Sequence, residues 1–216
     1  MSPLIASLLA GIVICYFVCG IPFGLVIAKA HGVDVRKVGS GNIGTTNVAR
    51  SVGKAASGET LACDVAKGWL CMLATRWIVA QAAFGGEFAM TRPQTSFGWV
   101  TSLLFLSCIC GHVFSPYLRF HGGKGIAVGF GAGLGCFWPL SIGLLVVFIL
   151  VVVPTRYVSA GSIAADISVP VWGLVFGFTR AAIPPLVVIT LIVLWAHRAN
   201  IHKLMHGEES KFAFKK

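Results

Sequence analysis

Long apolar stretches alternate with short polar breaks along the whole chain. They run from Pro3 to Ala28, Trp69 to Phe84, Phe97 to Phe114, Gly125 to Gly135, Phe137 to Val153, Val158 to Phe178 and Ala181 to Ala196. Such stretches predict an all-α, polytopic membrane protein with seven transmembrane helices. Two of the seven are weak. The glycine-rich stretch makes only about 21 Å of helix, short of a hydrocarbon core of about 30 Å. The second stretch carries Arg76, which must snorkel outward or find a partner. Fusing the glycine-rich stretch with its neighbour and losing another gives a five-helix alternative, also odd in number.

Composition agrees with this pattern. The 216 residues are 56% hydrophobic and 11% charged, against about 25% charged in a soluble domain. The length fits a single integral-membrane domain over 1–216. The first stretch lacks a basic start and reads as a retained span, not a cleaved signal. Cys15, Cys19, Cys63, Cys71, Cys108, Cys110 and Cys136 form no C-x-x-C pair and lie mostly in apolar stretches. They read as small packing residues, with no metal site and no disulfide framework expected.

Charge then orients the chain. Seventeen Lys and Arg face seven Asp and Glu, for a net charge of +10. The basic residues crowd into the Lys29–Lys67 loop, the Arg119–Lys124 loop, the turn at Arg156, and the tail with Arg198, Lys203, Lys211, Lys215 and Lys216. Only Arg76, Arg92 and Arg180 fall on the other side. The positive-inside rule puts the N-terminus outside and the C-terminus in the cytoplasm. It also puts every polar, motif-like segment on one face.

Three segments there could handle anions. In the first, Ser40, Gly41, Asn42, Thr46, Asn47 and Arg50 combine glycines, hydroxyls, amides and a guanidinium. Glycines allow close backbone approach to an anion, and Arg forks onto phosphate oxygens. The plainer alternative is a loop that caps a helix through Thr45 or Thr46. In the second, His112 precedes Gly122, Gly123, Lys124 and Gly125, which open a helix with free N–H groups and an ammonium. The spacing is not that of a nucleotide-binding P-loop; a basic turn anchoring the membrane face is the plain alternative. In the third, His197 and Asn200 lie three apart, so on a helix they share a face. An amphipathic helix end would explain them without chemistry. Asp64 and Lys67, also three apart, read as a structural pair.

Together these segments resemble the bacterial acyl-phosphate-dependent glycerol-3-phosphate acyltransferases. Gly39-Ser40-Gly41-Asn42 with Gly44, Thr46-Asn47 and Arg50 looks like the first family motif. Gly111-His112 through Gly122-Gly123-Lys124-Gly125 looks like the second, and His197-Arg198, Asn200-Ile201, Gly207, Glu209 and Lys211 like the third. Order, spacing and sidedness match from about residue 20 to the end; the intervening spans match only in kind. Ile43 stands where many members have proline, and His121 where a basic residue is common.

The resemblance implies seven spans in a bacterial inner membrane, a cytoplasmic site, and transfer of an acyl group from acyl phosphate to glycerol-3-phosphate. The products would be lysophosphatidic acid and phosphate. It implies that Ser40 and Arg50 hold substrate phosphate, that Gly122 to Gly125 with Lys124 bind glycerol-3-phosphate, that His197 and Asn200 serve activity, and that Glu209 holds the tail. Beyond these two substrates and membrane lipids it implies no cofactor, nucleic acid or obligatory protein partner. An anion channel or transporter is the rival class, but such proteins place polar sites near the midplane, often in repeated halves. A purely structural membrane subunit leaves the three donor-rich segments without a reason. No histidine is followed five positions later by Asp, the pattern of another large acyltransferase class.

Reporter tags test the orientation. A tag at the C-terminus and one between Arg36 and Lys54 are expected to report cytoplasm, and one at the N-terminus the outside. Both termini in the cytoplasm would exclude an odd number of spans.

Overall fold

The computed structural model describes residues 1–211, which form helices and turns with no strand among them. Lys215 and Lys216, read above with the basic tail, lie outside the described residues. Ten α-helices follow in order: α1 Pro3–Gly20, α2 Phe23–Ala30, α3 Thr45–Ser51, α4 Lys54–Ala83, α5 Gly98–Val113, α6 Ile126–Thr155, α7 Val158–Ile167, α8 Val169–Val175, α9 Ile183–Ala196 and α10 Arg198–Met205. Local chemistry starts and stops them. Ser2 caps α1 by accepting from the Ile5 N–H, with Pro3 in the first turn. Arg156, with φ 62°, ends α6.

Pro3–Ala30 taken together, Gly98–Leu118 and Ile126–Thr155 are long and apolar enough to cross a membrane. Counting the bent pairs α7 with α8 (43°) and Arg180–Ala196 with α10 (61°) as one span each raises the number to five. The sequence pattern of seven has two more because two of its stretches lie within α6 and because Trp69–Phe84 falls in α4, which is not among these spans. Phe137 there leaves helical geometry at φ −160° and ψ 101°. The Ser141 Oγ donates to the Phe130 carbonyl at 2.8 Å, although a continuous helix would separate these residues by roughly 16 Å. α6 therefore folds back on itself at Phe137, two residues before Pro139.

Such a break frees carbonyls inside an apolar region, where each orphan costs stability. Arg76 takes them. Its Nη1 donates to the Gly135 and Cys136 carbonyls at 2.5 and 2.9 Å, and its Nε to Thr91 Oγ1 at 3.1 Å. The guanidinium lies 4.4 Å from the centre of the Phe88 ring. The sequence demanded an outlet or a partner for this charge; the partner is the broken backbone.

Small residues let the helices touch. A Cβ on Gly68 of α4 would lie 2.4 Å from the Val128 carbonyl oxygen, and one on Gly131 of α6 would lie 2.0 Å from that of Val65. Side-chain hydroxyls bind α5 and the turn after it to α1: Ser107 Oγ donates to the Ile12 carbonyl and Ser115 Oγ to that of Gly20, both at 2.7 Å. Small residues with interhelical hydrogen bonds are how helices associate where no hydrophobic effect drives them together. Large apolar side chains such as Leu150 (68% exposed) and Trp138 (65%) face outward, as lipid contact requires. Cys15, Cys19, Cys71, Cys108 and Cys136 pack in the core, while Cys63 and Cys110 are half-buried; Cys15, Cys71 and Cys108 also bring their sulfurs within 4.8 Å of one another, a grouping their spacing along the chain conceals.

Asp64 and Lys67 pair as expected, with Lys67 Nζ 2.7 Å from Asp64 Oδ1. Lys67 also donates to the Ile21 carbonyl, at the break between α1 and α2, at 2.7 Å, and to His112 Nδ1 on α5 at 3.2 Å. Removing one member of a buried ion pair typically costs about 3–5 kcal/mol. Lys67→Met is expected to lower the thermal unfolding midpoint in detergent by a correspondingly large step; an unchanged midpoint would refute this role.

Candidate active site

The loop ahead of α3 is held by one buried amide. Asn47 donates from Nδ2 to the carbonyls of Val35, Val38 and Asn42 at 2.9, 3.1 and 2.9 Å, and accepts the Ser40 N–H on Oδ1 at 3.0 Å. Gly39 has φ 59° and leaves no room for a side chain, since a Cβ would meet Asn47 Oδ1 at 2.3 Å. Asn42 turns the chain by accepting the Gly44 N–H at 2.8 Å. Below the loop lies a small separate core of Leu25, Ala28, Val35, Ile43, Val48 and Ala56; Ile43 is one of its plugs. Asn47, read from sequence among the phosphate binders, thus has its polar atoms committed to the loop. Gly44 caps α3 without a side-chain bond, so neither threonine serves as cap. The Ser40 side chain and Arg50 are exposed.

The glycine pair of the second segment also builds rather than binds. The Gly122 and Gly123 N–H groups donate to the Val113 and His112 carbonyls at 2.9 and 3.1 Å, so these two N–H groups are not free for an anion. A Cβ on Gly122 would lie 1.9 Å from the His112 oxygen, and one on Gly123 would lie 2.2 Å from His112 Nε2. Glycine is therefore required for the loop to fold onto the end of α5. His112 Nδ1 faces the Lys67 ammonium, which has no acceptor, so Nδ1 accepts and the ring proton sits on Nε2. The result is to aim Lys124 across to the third segment, where its Nζ donates to Asn200 Oδ1. Asn200 Nδ2 in turn donates to both oxygens of Glu209 at 3.0 and 3.2 Å. Gly207, with φ 72°, turns the tail back to make that contact possible. His197 ends α9 with Nδ1 donating to the Val193 carbonyl at 2.9 Å, leaving Nε2 as an acceptor.

A cavity of about 680 Å³ joins the three segments. Ser40, Asn42, Thr46, Asn47, Arg50, Asp64, His112, Lys124, Gly125, His197, Asn200 and Glu209 all border it; Gly41, Lys67, Gly122 and Gly123 do not. Its deeper wall is apolar, with Phe105, Ile109, Leu144, Phe148, Ile189 and Val193. Sequence reading missed that wall, which consists of ordinary span residues. It also missed Lys203, whose position three beyond Asn200 would have placed it on the same helical face.

The mouth is electropositive. Burial pushes the Lys124 ammonium pKa down from its ordinary value; Glu209 opposes this, and Arg50 and Lys203 add to it. Burial likewise pushes the His197 imidazole down to about 4, with the Val193 hydrogen bond opposing and the Lys124 charge adding. His197 is therefore neutral near pH 7 and can accept a hydrogen bond on Nε2. Clustered cations with one nearby carboxylate suit a multiply charged anion. The apolar depth suits a hydrocarbon tail.

Comparison with known proteins agrees with this geometry. Residues 9–207 match the family model described as glycerol-3-phosphate acyltransferase. A glycerol-3-phosphate acyltransferase of Rhodopseudomonas palustris (strain BisB5) is 37% identical over 99% of this chain and 100% of its own length. One of Aromatoleum aromaticum is 39% identical over 90% of this chain and 91% of its own. Among solved structures, the glycerol 3-phosphate form of PlsY (YgiH), an integral membrane glycerol 3-phosphate acyltransferase, superimposes with TM-score 0.82 at 32% identity, covering 96% of each chain. Its lysophosphatidic acid form gives 0.80 at 31% identity, again over 96% of each. With a family match across nearly the whole chain and relatives aligned end to end, this protein belongs to the glycerol-3-phosphate acyltransferases, membrane enzymes of phospholipid biosynthesis.

Proposed function

We propose that the protein transfers an acyl group from acyl phosphate to the 1-hydroxyl of glycerol-3-phosphate. The observation that carries this reading is the two-part cavity, with cations and hydroxyls at its mouth and hydrocarbon at its depth. Ser40 and Arg50 hold one phosphate and Lys124 the other, with Lys203 adding charge. The acyl chain lies along Phe105, Ile109, Ile189 and Val193. Neutral His197 accepts a hydrogen bond from the glycerol hydroxyl on Nε2, and Asn200, fixed by Glu209, keeps Lys124 in place. The hydroxyl oxygen attacks the acyl carbonyl, the new ester C–O bond forms, and the acyl C–O bond to phosphate breaks. The departing phosphate takes the hydroxyl proton. An acyl phosphate is already activated, so positioning and charge stabilisation supply the acceleration.

In the membrane we assign seven crossings, the two arms of α6 counted separately, with the N-terminus outside and the site in the cytoplasm of a bacterial inner membrane. The sidedness of Lys and Arg supports this, as does the meeting of all three polar segments at one cavity.

Purified protein given acyl phosphate and glycerol-3-phosphate, with acyl thioester as the comparison donor, tests the reading; lysophosphatidic acid from acyl phosphate is expected, and none would refute it. Lys124→Ala, Arg50→Ala and Ser40→Ala should insert normally, with loss of a charged contact lowering kcat/KM by roughly 10²-fold. Near wild-type kinetics in all three would refute the phosphate assignments. Labelled acyl phosphate alone should leave no label on denatured protein. A stoichiometric label discharged by glycerol-3-phosphate at the catalytic rate would exclude direct transfer.

A further inference from the structure

Three helices bring thiols together inside the bundle, away from the cavity. Cys15 comes from α1, Cys71 from α4 and Cys108 from α5, at 0%, 5% and 0% exposure. Their sulfurs all lie within 4.8 Å of one another, and those of Cys15 and Cys71 are 3.7 Å apart. Buried Thr75 has its Oγ1 3.5 Å from Cys15 Sγ. Cys19, one turn along α1, turns its thiol to the Lys67 carbonyl at 3.9 Å and stands outside this grouping. No C-x-x-C pair marks the cluster in the sequence, and the transfer reaction uses none of these side chains.

The separations are those of a ligand set. A metal about 2.3 Å from each of three sulfurs, and in their plane, holds them roughly 4.0 Å apart. Sulfur donors select soft cations, copper(I) and zinc among them. Structural zinc takes four ligands from Cys, His and carboxylate, and among the described residues the grouping offers three. Copper(I) is satisfied by three sulfurs. Charge points the same way. Cys71 lies four residues after Lys67 and five before Arg76 on α4. Asp64 offsets Lys67, whereas Arg76 hydrogen-bonds only to neutral oxygens, those of Gly135, Cys136 and Thr91. The flanking buried groups thus carry one excess positive charge. Copper(I) held by two thiolates and a thiol carries one negative charge.

We propose that Cys15, Cys71 and Cys108 form a copper(I) site that staples α1, α4 and α5 together. On binding, two S–H bonds break, their protons leave to solvent and two copper–thiolate bonds form, with no change of oxidation state. Cys71 stands one turn from Lys67 and Cys108 one turn from His112, so the staple sits roughly 6 Å along each helix from the contact that orients the Lys124 loop. An ion that binds only the folded chain stabilises it. The inference stands apart from the choice of acyl donor.

The full-length protein should be loaded by two routes, copper added during expression and anaerobic titration in detergent with copper(I) buffered by bicinchoninate. Slow entry into the bundle then cannot hide the site. Wild type is expected to hold stoichiometric copper with three sulfur neighbours in X-ray absorption, and to unfold at a higher temperature when loaded. Cys71→Ser and Cys108→Ser are each expected to weaken copper(I) by at least the roughly 100-fold that losing a supporting partner of a metal ligand can cost, and to abolish the thermal shift. Replacing half-buried Cys63 and Cys110 by Ser is expected to change neither. If a serine variant fails to fold, the alanine variant takes its place, and the X-ray absorption of wild type needs no variant. Wild type without stoichiometric copper by either route would overturn the proposal. So would oxygen or nitrogen neighbours around the copper, zinc bound in preference, or affinity unchanged in the Cys71 and Cys108 variants.

Discussion

One buried ammonium connects the scaffold to the site. Lys67 reaches Asp64 on its own helix, the carbonyl of Ile21 where α1 ends, and the ring of His112 on α5. A lone charge at this depth would be untenable. With three partners it ties α1, α4 and α5 together at one level. It also fixes the tautomer of His112, whose carbonyl accepts the Gly123 N–H and so aims Lys124. Asp64 and Lys67 are structural, and through His112 they help set where Lys124 stands at the cavity mouth.

A second constraint shapes the cavity. A helix that reverses within an apolar environment needs something to accept its loose ends, and Arg76 supplies that from α4. The two arms of α6 then present Gly129 and Phe130 from one side and Leu144 and Phe148 from the other to the same space. Close approach of α4 to the first arm depends on Gly68 and Gly131. The glycine-rich stretch that looked too short to cross a membrane is thus an arm built for contact.

Charge divides the cavity's labour. At the mouth, Arg50, Lys124 and Lys203 outnumber Glu209, and the crowding of cations around a half-buried lysine is relieved only when an anion enters. Deeper in, the wall is apolar, with Phe105, Ile109, Ile189 and Val193, and offers mainly dispersion. The same enclosure therefore suits a phosphate head and a hydrocarbon tail, which is what a lipid-forming enzyme must hold.

The membrane class, the helical content and the candidate anion-binding segments were legible in the sequence, because hydropathy and donor chemistry are properties of residues in order. Ser40, Arg50, Lys124, His197 and Asn200 could be named as chemistry-bearing from their types and spacing, and the structure brings them to one cavity. Roles within those segments were not legible. Asn42 and Asn47 carry the same amide, yet Asn47 spends its polar atoms on the loop's own carbonyls; only the folded path of the backbone decides that. Gly122 and Gly123 looked like free donors and turned out to be clearance for His112. Lys203 and the apolar wall stayed hidden because each looks ordinary along its own helix. What the sequence by itself determined was which groups could meet phosphate and which must face hydrocarbon. What only the tertiary structure decided was which of those groups still have free hydrogen-bonding capacity, since that depends on neighbours far away in the chain that no local pattern records.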